Sequence, residues 1–210
     1  MWLIISNAYI IKKILSVFFT GMVIKIMDDY LDQDIDFLQK DQNLFTVIEY
    51  GGLPYALILL SLAFVFDPVT SLSLFLGSFA LGMAGDLTVK MPSGLYGYQE
   101  SIIVTALGLL FLKINMASSI FIMISIQLWD DYKDSDKDMI NSKNWAFLLG
   151  KVECVLLTVI FFLLTFYLDY VKAISSIISM KVIEYIIKLL LTKHKKAHEF
   201  LNSEGKISNA

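Results

Sequence analysis

Long runs of apolar residues, separated by short polar segments, dominate the chain. Such runs are typical of helices that cross a membrane, which need about 20 residues each. They cover residues 14–27, 44–66, 69–85, 99–113, 115–129, 145–168 and 173–191. The pattern predicts an all-α fold, a polytopic transmembrane helical bundle of about seven spans. Residues 1–192 would form this bundle and residues 193–210 a basic polar tail.

The composition agrees with a membrane protein. Hydrophobic residues make up 57% of the chain and charged residues 18%, with a mean hydropathy of +0.67, whereas roughly a quarter of the residues in a soluble domain are charged. The net charge of −3 gives no support to nucleic-acid binding. The basic residues other than His are all Lys, so a phosphate site must do without the planar fork of Arg.

The lysines indicate which side of the membrane the polar segments face. Counting crossings places the polar segments after the first, third and fifth runs on one side, together with the tail. The opposite turns offer only Lys113 and Lys172, so the positive-inside rule predicts that the polar side is cytoplasmic, in a bacterial plasma membrane. Lys12 and Lys13 disagree, because they would lie outside. The lysines of the polar side are Lys40, Lys90, Lys133, Lys137, Lys143, Lys193, Lys195 and Lys196.

Two acidic nonapeptides follow apolar runs, "DDYLDQDID" at 28–36 and "DDYKDSDKD" at 130–138. In a helix, Asp29, Asp32 and Asp36 occupy positions i, i+3 and i+7 and share one face. Stacked like charges destabilise a helix, and a multivalent cation removes that repulsion. All-oxygen carboxylate sites suit hard cations, above all Mg²⁺ where a phosphate group supplies further ligands.

Acidic peptides of this kind also occur in EF-hand calcium loops and in ordinary solvated loops. An EF-hand needs Gly at position 6 and Glu at position 12, but counting from Asp134 these positions are Met139 and Trp145. A solvated loop accounts for a single acidic peptide as well as a metal site does. Two similar peptides on the same side of the membrane favour a paired metal site at the mouth of the bundle.

The two peptides, and the segment between them, resemble motifs of the UbiA-type membrane prenyltransferases. The first is similar to the N-D-x-x-D-x-x-x-D motif, with Asp28 in place of the usual Asn. The second, "DDYKDSDKDMINSKNWAFLLG", is similar to the D-x-x-x-D motif of that family. The loop "VKMPSGLYGYQE" is similar to the Lys/Tyr loop of its menaquinone-pathway branch. The resemblance covers residues 14–190, although the chain has fewer spans and lacks the Arg-containing segment after the first motif.

This resemblance implies a Mg²⁺-dependent membrane enzyme that transfers an isoprenoid from a polyprenyl diphosphate to a small lipophilic acceptor, such as an aromatic quinone precursor. The isoprenoid tail would lie in a groove among the helices. The metal would be held by carboxylates of both motifs: Asp28, Asp29, Asp32, Asp36, Asp130, Asp131, Asp134 and Asp138. The diphosphate would be bound by Lys40, Lys90, Lys143, Tyr98 and Glu100. Catalysis is assigned to Asp32, Asp134, Lys90 and Tyr96.

Two alternative functions remain open on the sequence alone. The first is a UbiA-type terpene cyclase, which would form its product from the diphosphate without an acceptor. The second is a non-catalytic membrane protein whose acidic mouths bind divalent cations. A soluble trans-prenyl diphosphate synthase also uses paired D-D-x-x-D motifs, but the apolar runs argue against that class.

Overall fold

The structure is a computed structural model that describes residues 2–31, 44, 51–84, 90–135 and 145–207, with side chains described from residue 7 to residue 193 except at residue 134. Eight helices account for nearly all of the described backbone. They are α1 (Trp2–Leu31), α2 (Gly52–Phe66), α3 (Pro68–Ala84), α4 (Gly97–Leu112), α5 (Ile114–Asp134), α6 (Trp145–Leu149), α7 (Lys151–Leu168) and α8 (Tyr170–Ile207).

The all-α prediction is confirmed over the described residues, and the described part of each predicted apolar run is mainly helical. The run at 145–168 is divided into α6 and α7 at Gly150, whose φ of 102° is left-handed. The predicted boundary before the polar tail falls inside α8. By length and composition, one helix of the described part, α7, is apolar and long enough to cross a membrane, while α2, α3 and α4 are shorter apolar helices.

Two tight turns at one end of the bundle are built in the same way. Asp67 caps α3, because its Oδ1 accepts a hydrogen bond from the Thr70 amide at 3.2 Å. Asp169 caps α8, because its Oδ1 accepts from the Lys172 amide at 3.1 Å. A carboxylate at this position satisfies an amide that the first helical turn leaves unpaired. We refer to the end of the bundle that contains these two turns as the far end.

The helix order repeats a unit, once as α1–α2–α3 and once as α5–α7–α8. In both units a helix with an acidic end is followed along the chain by a second helix, an Asp-capped turn and a third helix, and the short α6 precedes the second helix of the second unit. Asp67 follows Asp28 at the same distance along the chain as Asp169 follows Asp130. The first helix packs against the second in both units. A single helix, α4, joins the units, so both run in the same direction, as parallel repeats of membrane proteins do.

The exposed surface of the described helices is apolar, and their interior holds many hydroxyl groups. Val65, Phe111 and Tyr167 are 77%, 74% and 86% exposed. Small and hydroxyl-bearing residues at helix contacts are typical of bundles in lipid, where the outer surface gains nothing from being polar. The buried Ser and Thr residues are Ser16, Thr20, Thr70, Ser71, Ser73, Ser118, Ser119, Ser125, Ser135, Thr165, Ser175, Ser176 and Ser179.

The turn between α4 and α5 also lies at the far end and contains a strained residue. Lys113 has a φ of 49° and a ψ of −122°, a region that favours glycine. The hairpin is tight here, since a Cβ on Gly108 would lie 2.7 Å from the Met116 side chain. The predicted turn of the 99–129 region near Lys113 is therefore present, and the two helices meet without a connecting loop.

Candidate functional site

The ends of α1 and α5 that carry the two acidic motifs lie at one end of the bundle, opposite the far end. Contacts at the far end fix this arrangement: Ser16 of α1 donates to the Asp67 carbonyl oxygen at 3.0 Å, and Lys13 of α1 binds Asp169 at 2.6 Å. Each helix leaving these turns runs toward the other end. We refer to that other end as the acid face.

The first acid cluster is held by one lysine and one backbone amide. The Lys25 ammonium lies 3.1 Å from Asp28 and 2.8 Å from Asp29. Asp29 is buried, and its second carboxylate oxygen accepts a hydrogen bond from the Leu44 amide at 3.0 Å. Asp29 therefore ties the end of α1 to the chain that leads into α2.

The second acid cluster has the same plan. Lys133 lies 3.3 Å from Asp130 and 3.2 Å from Glu184 of α8. The Asp131 carboxylate accepts a hydrogen bond from the Trp145 amide at 3.0 Å and lies 3.4 Å from the Gln127 amide nitrogen. Asp131 therefore ties the end of α5 to the start of α6.

The first two aspartates of each motif have similar contacts, although the lysine lies before them in the first cluster and after them in the second. The first Asp of each, Asp28 or Asp130, binds a nearby lysine, and the second, Asp29 or Asp131, accepts an amide that lies 15 or 14 residues downstream. Both oxygens of Asp29 and of Asp131 have partners within the protein. These two residues, which the sequence assigned to metal binding, accept the Leu44 and Trp145 amides in the described structure.

The clusters lie within electrostatic reach of each other. Burial raises the pKa of Asp130 to about 6, against the opposing effect of the Lys133 ammonium and of Lys25, which binds the first cluster. Partial burial disfavours the charge of Lys133, but Asp130 and Glu184 outweigh that effect and raise its pKa. The acid face therefore combines carboxylates of both motifs with lysines that balance part of their charge.

The Lys/Tyr loop lies between α3 and α4, also at the acid face. The Lys90 ammonium lies 5.7 Å from the centroid of the Tyr96 ring, and the Tyr96 and Tyr98 rings stack at 6.0 Å. Glu100 binds the Ser93 hydroxyl, which supports the turn. Lys90 and Tyr98 are exposed. The loop therefore presents a cation and two aromatic rings as one group.

An apolar cavity of about 240 Å³ lies between α1, α2 and α8. It adjoins the first acid cluster, because Leu44 lines it and the Leu44 amide binds Asp29. The surrounding side chains are almost entirely aliphatic, and they include Met22, Ile26, Ile58, Ile183 and Ile187. The lining of this cavity is suited to apolar groups, as in the apolar part of ligand pockets.

Several predicted site residues lie outside the described part of the chain: Asp32, Asp36, Lys40, Asp138 and Lys143. The backbone of Asp134 ends α5, but its side chain is not described. Within the described residues, no three carboxylate, imidazole or thiol groups come together to hold a metal ion. The four described carboxylates do not form a magnesium site alone, so the expected ion would need ligands from the other motif residues.

Sequence reasoning did not assign Lys25 or Glu184 to the site. Lys25 sits one helical turn before Asp28 and Asp29, so its pairing follows from helix spacing. Glu184 binds Lys133 of α5 and Lys181 of its own helix, at 3.2 Å each. No local pattern reveals Glu184, because its partner lies 51 residues away in the chain.

No protein-family model matches the chain, and no curated protein or solved structure is similar enough to it to count as a match.

Replacement of Asp29 by Ala is expected to destabilise the protein by about 1–3 kcal/mol, because the Leu44 amide loses its buried acceptor. Asp29→Asn keeps an acceptor and should cost less. Asp28→Ala is the matched control: the Asp28 side chain is 58% exposed, and its surface ion pair contributes little. Thermal unfolding in detergent measures all three variants, and equal loss in Asp28→Ala and Asp29→Ala would contradict the assignment.

Proposed function

We propose that the protein is an integral membrane prenyltransferase of UbiA type. It transfers an isoprenoid from a polyprenyl diphosphate to a small lipophilic acceptor at the cytoplasmic face of a bacterial plasma membrane. The observation that carries the proposal is the position of both acid clusters at one end of the bundle, the first of them beside an apolar cavity. A diphosphate attached to a hydrocarbon chain has the charge and shape that such a pair of surfaces would bind.

The distribution of side chains supports a bundle with several spans. The interior carries hydroxyl groups, whereas the outer surface carries large apolar side chains on every long helix. Exposed apolar surface on this scale is not tolerated by soluble monomers, in which the largest patches are a few hundred Å². Seven of the eight described helices have 15 residues or more, and single-residue turns at Asp67, Lys113 and Asp169 join them at the far end.

The proposal assigns Mg²⁺ mainly to the residues that complete the motif spacing, Asp32, Asp36, Asp134 and Asp138. Asp28 and Asp130 remain candidates for a supporting role, since a lysine of the same helix forms an ion pair with each of them. Lys90, with the stacked Tyr96 and Tyr98 rings, is the described group best suited to meet a phosphate or an allylic cation.

The proposed activity is tested by incubating the purified protein with a panel of isoprenoid diphosphates and a small lipophilic aromatic acceptor, with and without Mg²⁺, and measuring the diphosphate released. The wild type should release diphosphate only with Mg²⁺. Asp32→Ala and Asp134→Ala should each lower the rate by at least about 100-fold, the size of effect seen when a group that stabilises a leaving charge is lost.

Asp34→Ala and Asp136→Ala are the matched controls, because each removes one carboxylate of the same peptide that lies outside the expected ligand set. They should retain most of the activity. Release of diphosphate without any acceptor would indicate cyclisation instead of transfer. No release from any diphosphate, by a folded wild-type protein with Mg²⁺ present, would refute the enzymatic proposal.

The apolar cavity is tested by filling it. Ile187→Trp should weaken binding of a long-chain isoprenoid diphosphate at least tenfold and leave binding of inorganic diphosphate unchanged, because only the hydrocarbon chain needs the cavity. Leu189→Trp is the control on the same helix, since Leu189 is exposed and does not line the cavity. Competition with a radiolabelled analogue measures both affinities, and unchanged chain binding in Ile187→Trp would exclude this cavity as the tail site.

A further inference from the structure

Glu184 of α8 belongs to a line of charges that crosses from α8 to α5 at the acid face. Its carboxylate lies 3.2 Å from the Lys133 ammonium of α5 and 3.2 Å from the Lys181 ammonium of its own helix. Lys133 in turn lies 3.3 Å from Asp130. Positive and negative groups therefore alternate along this line. An isolated exposed ion pair contributes little to stability, but a network of linked charges contributes more.

Apolar packing does little to hold α8 against α5. Among the described helices, α8 packs mainly against α1, less against α7 and only slightly against α5. The buried apolar clusters around Ile122 and Leu128 of α5 are completed by residues of α1, α3, α6 and α7, and their described members include none from α8. The position of α8 beside α5 therefore depends on polar contacts.

These polar contacts lie at opposite ends of the two helices. At the far end, the Lys172 ammonium donates to the Asn115 carbonyl oxygen at 2.9 Å and to the Ser118 hydroxyl at 2.8 Å, both near the start of α5. At the acid face, the described contact is the one between Glu184 and Lys133. The two contacts are separated by about 18 Å along α8. Without Glu184, the described contacts would hold α8 to α5 mainly at the far end.

The part of α8 that carries Glu184 also forms one wall of the apolar cavity. That wall consists of Ile183, Ile186, Ile187 and Leu190. The cavity adjoins the first acid cluster, whereas Glu184 contacts the second cluster through Lys133. A shift of α8 away from α5 would move these four side chains and change the shape of the cavity.

We propose that Glu184 is a positioning residue, which holds the acid-face half of α8, and with it one wall of the apolar cavity, against the second acid motif. Glu184 acts through Lys133 and does not itself contact the substrate. The proposal rests on the proposed function in one respect, that the cavity holds the hydrocarbon chain. The Lys133 ammonium then serves both surfaces, because it links Asp130 with the helix that forms the cavity wall.

The position of α8 is tested without any substrate, by spin labels on Gln127→Cys of α5 and Lys188→Cys of α8 in a Cys154→Ala background. Both labelled side chains are exposed. In lipid, Glu184→Gln should broaden the distance distribution and move it to longer distances, because the acid-face half of α8 is released from α5. Lys133→Gln should do the same, whereas Glu184→Asp, which keeps the charge, should stay close to the wild type.

Lys181→Gln is the matched control, because it removes the other partner of Glu184 and leaves the contact with α5 in place. It should leave the distribution unchanged. The double variant Glu184→Gln/Lys133→Gln should change the distribution no further than either single variant, since both substitutions break the same contact. A Glu184→Gln distribution that matches the wild type, or an equal shift in Lys181→Gln, would overturn the proposal.

The effect on the cavity is measured by the binding of a non-hydrolysable farnesyl diphosphate analogue, with inorganic diphosphate for comparison. Glu184→Gln should weaken binding of the analogue about fivefold and leave the affinity for inorganic diphosphate unchanged, because only the hydrocarbon chain would lie against α8. Equal affinity of wild type and Glu184→Gln for the analogue would contradict the link to the cavity. If the wild type binds neither compound, the proposed function fails, whereas the distance distribution still decides whether Glu184 holds α8.

Discussion

Polar groups inside a bundle with an apolar exterior must find their partners within the protein, and this constraint organises both ends of the structure. An unpaired amide or charge in such an interior costs several times what a surface ion pair contributes. At the far end, Asp67 and Asp169 cap the helices that follow the turns, and Lys13 pairs with Asp169. At the acid face, Asp29 and Asp131 accept the amides of the returning chain.

The repeated helical unit explains why two acidic motifs so far apart in the chain reach the same end. In each unit the first helix ends in an acidic motif at the acid face. The second helix ends at the far end, where an Asp caps the helix that follows. Helix α4 connects the two units, so the first helix of each unit runs in the same direction. Both motifs therefore lie at the same end of the bundle. Lys25 then lies close enough to affect Asp130. Both acid clusters therefore lie at one end of the bundle, and an apolar cavity adjoins the first of them.

The helices could be predicted from the apolar runs, because a long run of apolar residues has few structural alternatives. The turn near Lys113 and the similarity of the two acidic peptides were also readable from the sequence. The roles of individual carboxylates were not: spacing places Asp29 and Asp131 beside other acids, but only the fold shows that their oxygens accept distant amides.

Lys13 and Lys172 have surroundings in the structure that the sequence pattern did not predict. The positive-inside rule treats a lysine as a solvated charge at a loop, and on that basis Lys12 and Lys13 disagreed with the predicted orientation. In the structure, Lys13 is buried in an ion pair with Asp169, and Lys172 is enclosed by hydroxyl groups. Their partners come from helices that are distant in the chain, so periodicity within one segment carries no signal of either contact.

The central claim is that the two acidic motifs meet over one site, and a distance between them tests it most directly. Spin labels on Asp28→Cys and Asp130→Cys, in a Cys154→Ala background and in lipid, report that distance by pulsed electron paramagnetic resonance. The account predicts a single distribution centred below about 25 Å, shorter than a spanning helix of about 20 residues, which is roughly 30 Å long. A distribution centred above about 35 Å would place the motifs apart and contradict the account.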